Sequence, residues 1–159
     1  MKLWRIATET RDYAANDLSG GGSARNPGRW NAKTEAVVYC APSIALCALE
    51  TTAYIDAFGL PLNKFLVEIN VPDSVWNARQ DMSDPAKLPG AWNAIPAGAT
   101  SVAVGSAWLA KAATAILLLP SVIVPEEAIA LINPKHADAR SMTAKAVRRF
   151  EYDTILRTK

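Results

Sequence analysis

Residues 28–50 read GRWNAKTEAVVYCAPSIALCALE. Ala36 to Cys40 is a short apolar run of strand length. Pro42 and Ser43 follow and open a helix, proline being tolerated in a first turn where its missing N–H costs nothing. The pattern carries that helix to about Phe58 and stops it at Gly59, with Pro61 beyond. A loop, a buried strand and an apolar helix in direct succession predict a mixed α and β domain. Three residues of the stretch can carry chemistry: Arg29, Tyr39 and Glu50. Each also has a plain reading, as a surface charge, a half-buried aromatic and a solvated helix residue. Glu50 fits its plain reading least well. Its helical neighbours are Leu46, Cys47, Ala53 and Tyr54, and none is a cation. A carboxylate on an apolar face is disfavoured unless something pairs with it or uses it.

Upstream, Lys2 to Ala7 alternates and reads as a strand, with Leu3 and Arg5 on one face and Trp4 and Ile6 on the other. Arg5 is either an edge-strand charge or a second arginine aimed into a site. Asn16 to Gly28 is rich in Gly, Ser, Asn and Pro and reads as a loop. Its Gly20-Gly21-Gly22 run is a weak phosphate-loop signal, since no Gly-Lys-Ser/Thr follows and no strand leads directly into it, and reads better as a flexible loop beside a site. Arg29 stands just after this loop, where its planar fork could hold two phosphate oxygens at once. Trp30 reads as core.

Downstream, Lys64 to Val71 places Phe65, Val67, Ile69 and Val71 on one face and Leu66 on the other, as in a strand covered on both sides. Asp73 to Pro96 reads as a long loop with at most one helical turn, anchored by Trp76 and Trp92. Thr100 to Ala113 reads as a helix capped by Thr100 or Ser101, its Gly105 and alanines allowing close packing. Ile116 to Leu119 is a buried strand, interrupted at Pro120-Ser121 and continued by Val122 to Val124. Pro125, Glu126 and Glu127 turn the chain, Ala128 to Asn133 returns as a strand, and Val147 to Asp153 is the last strand. Ser121 is a turn residue, or a hydroxyl held at the lip of a pocket. No histidine stands near it to activate it as a hydrolase nucleophile.

The 159 residues fit one domain, 1–159. A net charge of +2 with no lysine–arginine run beyond Arg148-Arg149 argues against nucleic acid as a direct partner. No stretch is long and apolar enough to span a membrane, and MKLWRIATET lacks the apolar core of a signal peptide. A cytoplasmic protein is expected. Cys40 and Cys47 form no metal-ligand pattern with the lone His136 and read as small packing residues, so no metal is expected.

The order and spacing of WRI (4–6), GRWN (28–31), VVYCA (37–41), ALCALE (45–50), LLLPSVIVPEE (117–127), LINPKHAD (131–138) and FEYD (150–153) resemble the RES domain. This is the toxin half of bacterial toxin–antitoxin pairs, named for an arginine, a glutamate and a serine. The chain departs from the family pattern at Lys33 to Glu35, at Thr52 to Tyr54 and at Ala128-Ile129. The resemblance implies an α+β fold with a mixed central sheet, similar to ADP-ribosyltransferases. It also implies NAD as substrate rather than as a resident cofactor. By position, Arg29, Tyr39 and Glu50 match the family's central residues, Ser121 its serine, and Asn133 a further pocket position. The implied partner is an antitoxin with an Xre-like helix-turn-helix DNA-binding region and a separate toxin-binding region.

The residue types suit that chemistry. Breaking the nicotinamide–ribose bond develops positive charge on the sugar. Glu50 could stabilise that cation, Arg29 hold the pyrophosphate, Tyr39 stack on nicotinamide and Ser121 orient ribose. Pyridinium departs neutral, so no strong general acid is needed. Three acceptors are open: water, phosphate, or a protein that would be ADP-ribosylated. A ribonuclease is disfavoured by the small charge, and a binding module that has lost activity is disfavoured by the presence of all three central residues. An acidic antitoxin tail reaching Arg29 would block NAD.

Overall fold

The computed structural model describes residues 1–53 and 62–152. Its strands are β1 (Lys2–Thr8), β2 (Val38–Cys40), β3 (Lys64–Asn70), β4 (Gln80–Asp81), β5 (Ile116–Pro120), β6 (Ala128–Ile132) and β7 (Thr143–Arg149). Its α-helices are α1 (Gly21–Arg25), α2 (Ile44–Thr52), α3 (Asp73–Asn77) and α4 (Ala99–Lys111). β1, β3 and β7 make an antiparallel sheet with β3 in the middle. A second sheet runs β2-β6-β5-β4 and is mixed, since β4 pairs with β5 in parallel. Mixed pairing in an α+β domain is thus as expected, carried by one of two sheets. The two are stitched together by a bridge in which Trp4 and Ala41 exchange backbone hydrogen bonds of 2.8 and 2.9 Å.

Strand alternation sorts the core. Leu3, Val67 and Ile69 from the first sheet meet Val38, Ile116, Leu118 and Ile132 from the second in one buried cluster. The alternate residues, Leu66, Leu117, Leu119 and Leu131, join Trp30, Trp92 and Trp108 in another. Leu66 therefore has its own cluster, as a strand covered on both faces requires. Trp30 is core, stacked on Trp92 with ring centroids 6.0 Å apart and planes 18° apart. α4 lies directly on this layer. A Cβ on Gly105 would stand 1.7 Å from the Trp30 carbonyl oxygen, so no other residue fits there.

Several expected boundaries move, each for a local reason. The 16–28 loop contains α1, whose five residues are too few to show a period. The 73–96 loop contains α3, a 3₁₀ turn at Pro85–Lys87 and β4, whose two residues are likewise too few to show alternation. α4 starts from Gly98, and Ser101 donates its hydroxyl back to the Gly98 carbonyl rather than capping the helix. Ser43 is the cap of α2, accepting from the Leu46 amide. α2 is described to Thr52, and the expected continuation over 54–59 lies outside the described residues. Val122 to Val124 does not extend β5, because Ile123 and Val124 give their amides to the Ser121 hydroxyl. The last strand is Thr143–Arg149, an exposed edge on which burial leaves no alternation to read. Phe150 and Tyr152 leave that strand to pack edge-to-face in the core, and Asp153 lies outside the described residues.

Candidate functional site

A cleft of ≈ 370 Å³ opens between the 22–28 segment, the middle of β1, β2 and α2. Its apolar walls include Ile6, Val37, Ala41 and Ile129, and its polar groups include Arg5, Asn26, Tyr39, Glu50 and Thr51. A few polar groups converging in an apolar concavity make a default binding site.

Glu50 projects from the last turns of α2 and is half-buried. Its Oε1 accepts a 2.5 Å hydrogen bond from the Ser121 hydroxyl. That hydroxyl is itself fixed, accepting from the amides of Ile123 (3.1 Å) and Val124 (3.0 Å). Two backbone dipoles thus orient one hydroxyl, and the hydroxyl orients one carboxylate. Among the described residues Glu50 has no ion-pair partner. Ser121 is fully buried and does not line the cleft. Expected to touch substrate, Ser121 has its oxygen bonded to Glu50 and to the turn.

Tyr39 enters from the middle of β2. Its hydroxyl accepts from the Trp30 amide and donates to Asn31 Oδ1, both at 2.9 Å. The chain passes so close that a Cβ on Gly28 would lie 2.8 Å from that hydroxyl. Asn31 is 1% exposed and is the hub of this side. Its Oδ1 also accepts from the Gly28 amide, and its Nδ2 donates to the carbonyls of Ser23, Ala32 and Glu35. Sequence reasoning quoted Asn31 within GRWN but gave it no role. The available signal was an amide, able to donate and accept at once, beside a core tryptophan.

The two arginines part company. Arg5 lines the cleft, its Nη1 donating to the Asp17 carbonyl at 2.7 Å. Among the described residues no carboxylate is paired with it. Desolvation lowers its pKa from the usual guanidinium range, with Cys40 and Asp17 opposing the shift. Arg29 does not line the cleft. Its Nη1 donates to the carbonyls of Trp92 (3.1 Å) and Ala94 (2.8 Å), and its buried Nε has no hydrogen-bond partner. Arg29, expected as phosphate holder, has one nitrogen of its fork bonded to the carbonyls of a loop in this structure. Asn133 is also away from the cleft: it donates to Leu109 O at 3.3 Å and accepts from the Lys135 amide at 3.0 Å. That ties the end of β6 to the end of α4.

Cys40 and Cys47 form part of the cleft wall as free, buried thiols. Burial pushes the Cys47 thiol up to about 12 and Cys40 higher still, so both are neutral packing groups, as expected. Among the described residues no group of three or more His, Cys, Asp or Glu is placed to hold a metal ion, and no helix is long and apolar enough to cross a membrane.

Comparison with known proteins gives a consistent family. The RES domain family matches residues 2–154. A "Prs ADP-ribosylating toxin" of Sphingobium sp. (strain YBL2) is 51% identical over 151 residues, covering 95% of this chain and 93% of that protein. A "Toxin Res" of Yersinia enterocolitica is 36% identical over 136 residues, covering 86% of each chain. A "Toxin Res" of Pseudomonas putida is 36% identical over 143 residues, covering 89% of this chain and 90% of that one. Among solved structures, a chain of the M. tuberculosis MbcT–MbcA toxin–antitoxin complex superposes with a TM-score of 0.67 at 18% identity, over 92% of this chain and 84% of that one. That last likeness establishes the fold.

Proposed function

The chain belongs to the RES domain family, and on that premise we propose that it is a toxin enzyme that breaks the nicotinamide–ribose bond of NAD. The observation that carries this reading is the Glu50 carboxylate, oriented by Ser121 at 2.5 Å and set in an apolar cleft with Arg5. When the bond breaks, its electron pair goes to the pyridinium nitrogen and nicotinamide leaves neutral. The ribose carbon is left with cationic character. A fixed carboxylate in a largely apolar cleft stabilises that charge without reorganising. The Tyr39 ring packs against nicotinamide, and Arg5 holds the pyrophosphate. The acceptor then adds to the ribose carbon. Water gives ADP-ribose and a proton, phosphate gives phosphorylated ADP-ribose, and a protein nucleophile gives an ADP-ribosylated side chain and a proton.

Transfer to a protein is the second reading, favoured by the name of the Sphingobium relative, which gives Prs as what that protein modifies. Purified protein incubated with NAD, with and without phosphate and with a cell lysate, separates the cases by mass spectrometry of products. NAD loss in buffer alone supports hydrolysis. Loss only with phosphate supports phosphorolysis. An ADP-ribose mass on a lysate protein supports transfer. NAD left intact in all three arms overturns the reading.

Such an enzyme would harm its own cell, so an antitoxin partner belongs to the proposal. An acidic tail of that partner would meet Arg5, which lines the cleft. Expression alone should arrest growth and lower cellular NAD, and co-expression of the neighbouring gene should restore both. A soluble, folded protein that leaves growth and NAD unchanged would count against the toxin assignment.

A further inference from the structure

Beside the first cleft lies a second, of ≈ 350 Å³. The two share Arg5, Gly22 and Asn26 as a common wall. At Gly22 that wall is low, since a Cβ built there meets nothing within 4 Å. The lobes differ in character. The first is mostly apolar, while the second presents Thr10, Asp12, Tyr13, Asp17 and Arg25. Arg25 lies over the Tyr13 ring, 4.6 Å from its centroid. Arg5, with no carboxylate paired to it among the described residues, stands at the waist. Each lobe alone is near the lower end of the roughly 300–1,000 Å³ usual for ligand pockets.

We propose that the second cleft is the adenosine site of a dinucleotide that spans both lobes. The inference rests on the reading of NAD as substrate and adds where its other half binds. A dinucleotide is two nucleosides joined by a pyrophosphate, which calls for two lobes with a cation between them. The reacting nicotinamide riboside lies beside Glu50 and Tyr39, and the pyrophosphate lies at Arg5. Adenine stacks on the Arg25–Tyr13 pair, a guanidinium plane and a phenol ring both being good platforms for a base. Asp12 accepts from the ribose hydroxyls or the adenine amino group. Mononucleotide substrates would leave this lobe empty.

The test compares NAD with nicotinamide mononucleotide, which carries the reacting half without adenosine. Arg25→Ala and Asp12→Asn change exposed residues and should leave the melting temperature unchanged. Arg25→Ala should raise KM for NAD about tenfold at unchanged kcat, the scale of one stacked base, and leave kcat/KM for the mononucleotide unchanged. Asp12→Asn should act in the same direction by a smaller factor. Equal losses on both substrates, or no loss on either, overturn the proposal. Calorimetry with ADP-ribose keeps it testable if the wild type turns over neither substrate. Binding that Arg25→Ala weakens about tenfold would then uphold the site while sinking the catalytic reading, and binding indifferent to Arg25 would sink the site.

Discussion

The two sides of the first cleft are built by different means. On the loop side a single buried amide, Asn31, makes five hydrogen bonds that close the 22–36 segment and fix the Tyr39 hydroxyl. On the helix side one hydroxyl, Ser121, holds one carboxylate, Glu50. Position and stability are therefore inseparable on the loop side. On the helix side the charge can be removed while its hydrogen bond stays.

The largest effects should show that contrast directly. Glu50→Gln keeps the shape and can still accept from Ser121, but it removes the charge that opposes the developing cation. NAD turnover should fall by about 3 kcal/mol or more of transition-state stabilisation, roughly a hundredfold, with little change in melting temperature. A folded variant with wild-type turnover would remove Glu50 from the chemistry. Asn31→Ala should do the reverse, costing about 2–4 kcal/mol of stability by leaving buried carbonyls and the Gly28 amide unpartnered. Denaturant titration reads this. A small stability loss would mean that the loop closes without its hub.

How far the sequence could go follows the same divide. β2 and α2 were legible because apolar runs and a Pro-Ser opening report burial and helix start directly. Glu50 stood out because a carboxylate there lacked a helical partner, and its partner came from the distant turn after β5. That turn was misread as strand because Val122 to Val124 are apolar, and hydrophobicity does not show where their amides go. Of the two arginines the sequence offers, Arg5 lines the cleft and Arg29 bonds to a loop. A guanidinium fork suits backbone carbonyls as well as phosphate, so residue type could not decide between them.

A smaller effect belongs to Ser121, which positions Glu50 and leaves the cleft to other residues. Ser121→Ala removes the donor to Glu50 and the acceptor for two amides. Stability should fall by about 1–2 kcal/mol. kcat per folded molecule should fall about tenfold at unchanged KM, as for a loss of about 1.4 kcal/mol felt only in the transition state. A variant that loses yield but keeps kcat would make Ser121 a packing residue alone.

The smallest effect on turnover is expected at Arg29, the residue whose sequence position promised the most. Its guanidinium holds the backbone of Trp92 and Ala94, and Trp92 carries the ring stacked on Trp30. Arg29→Ala leaves two carbonyls without that donor, one of them on the residue that carries the stacked ring. The expected cost is about 1–2 kcal/mol of stability. With the pyrophosphate held by Arg5 as proposed, KM for NAD should stay within about twofold. Arg29→Lys should recover only part of that stability, since an ammonium keeps the charge but not the planar fork. The opposite pattern would be informative. A tenfold rise in KM at an unchanged melting temperature would mean that the fork leaves its carbonyls when NAD binds. The loop side would then carry chemistry as well as structure, and the contrast between the two sides would break.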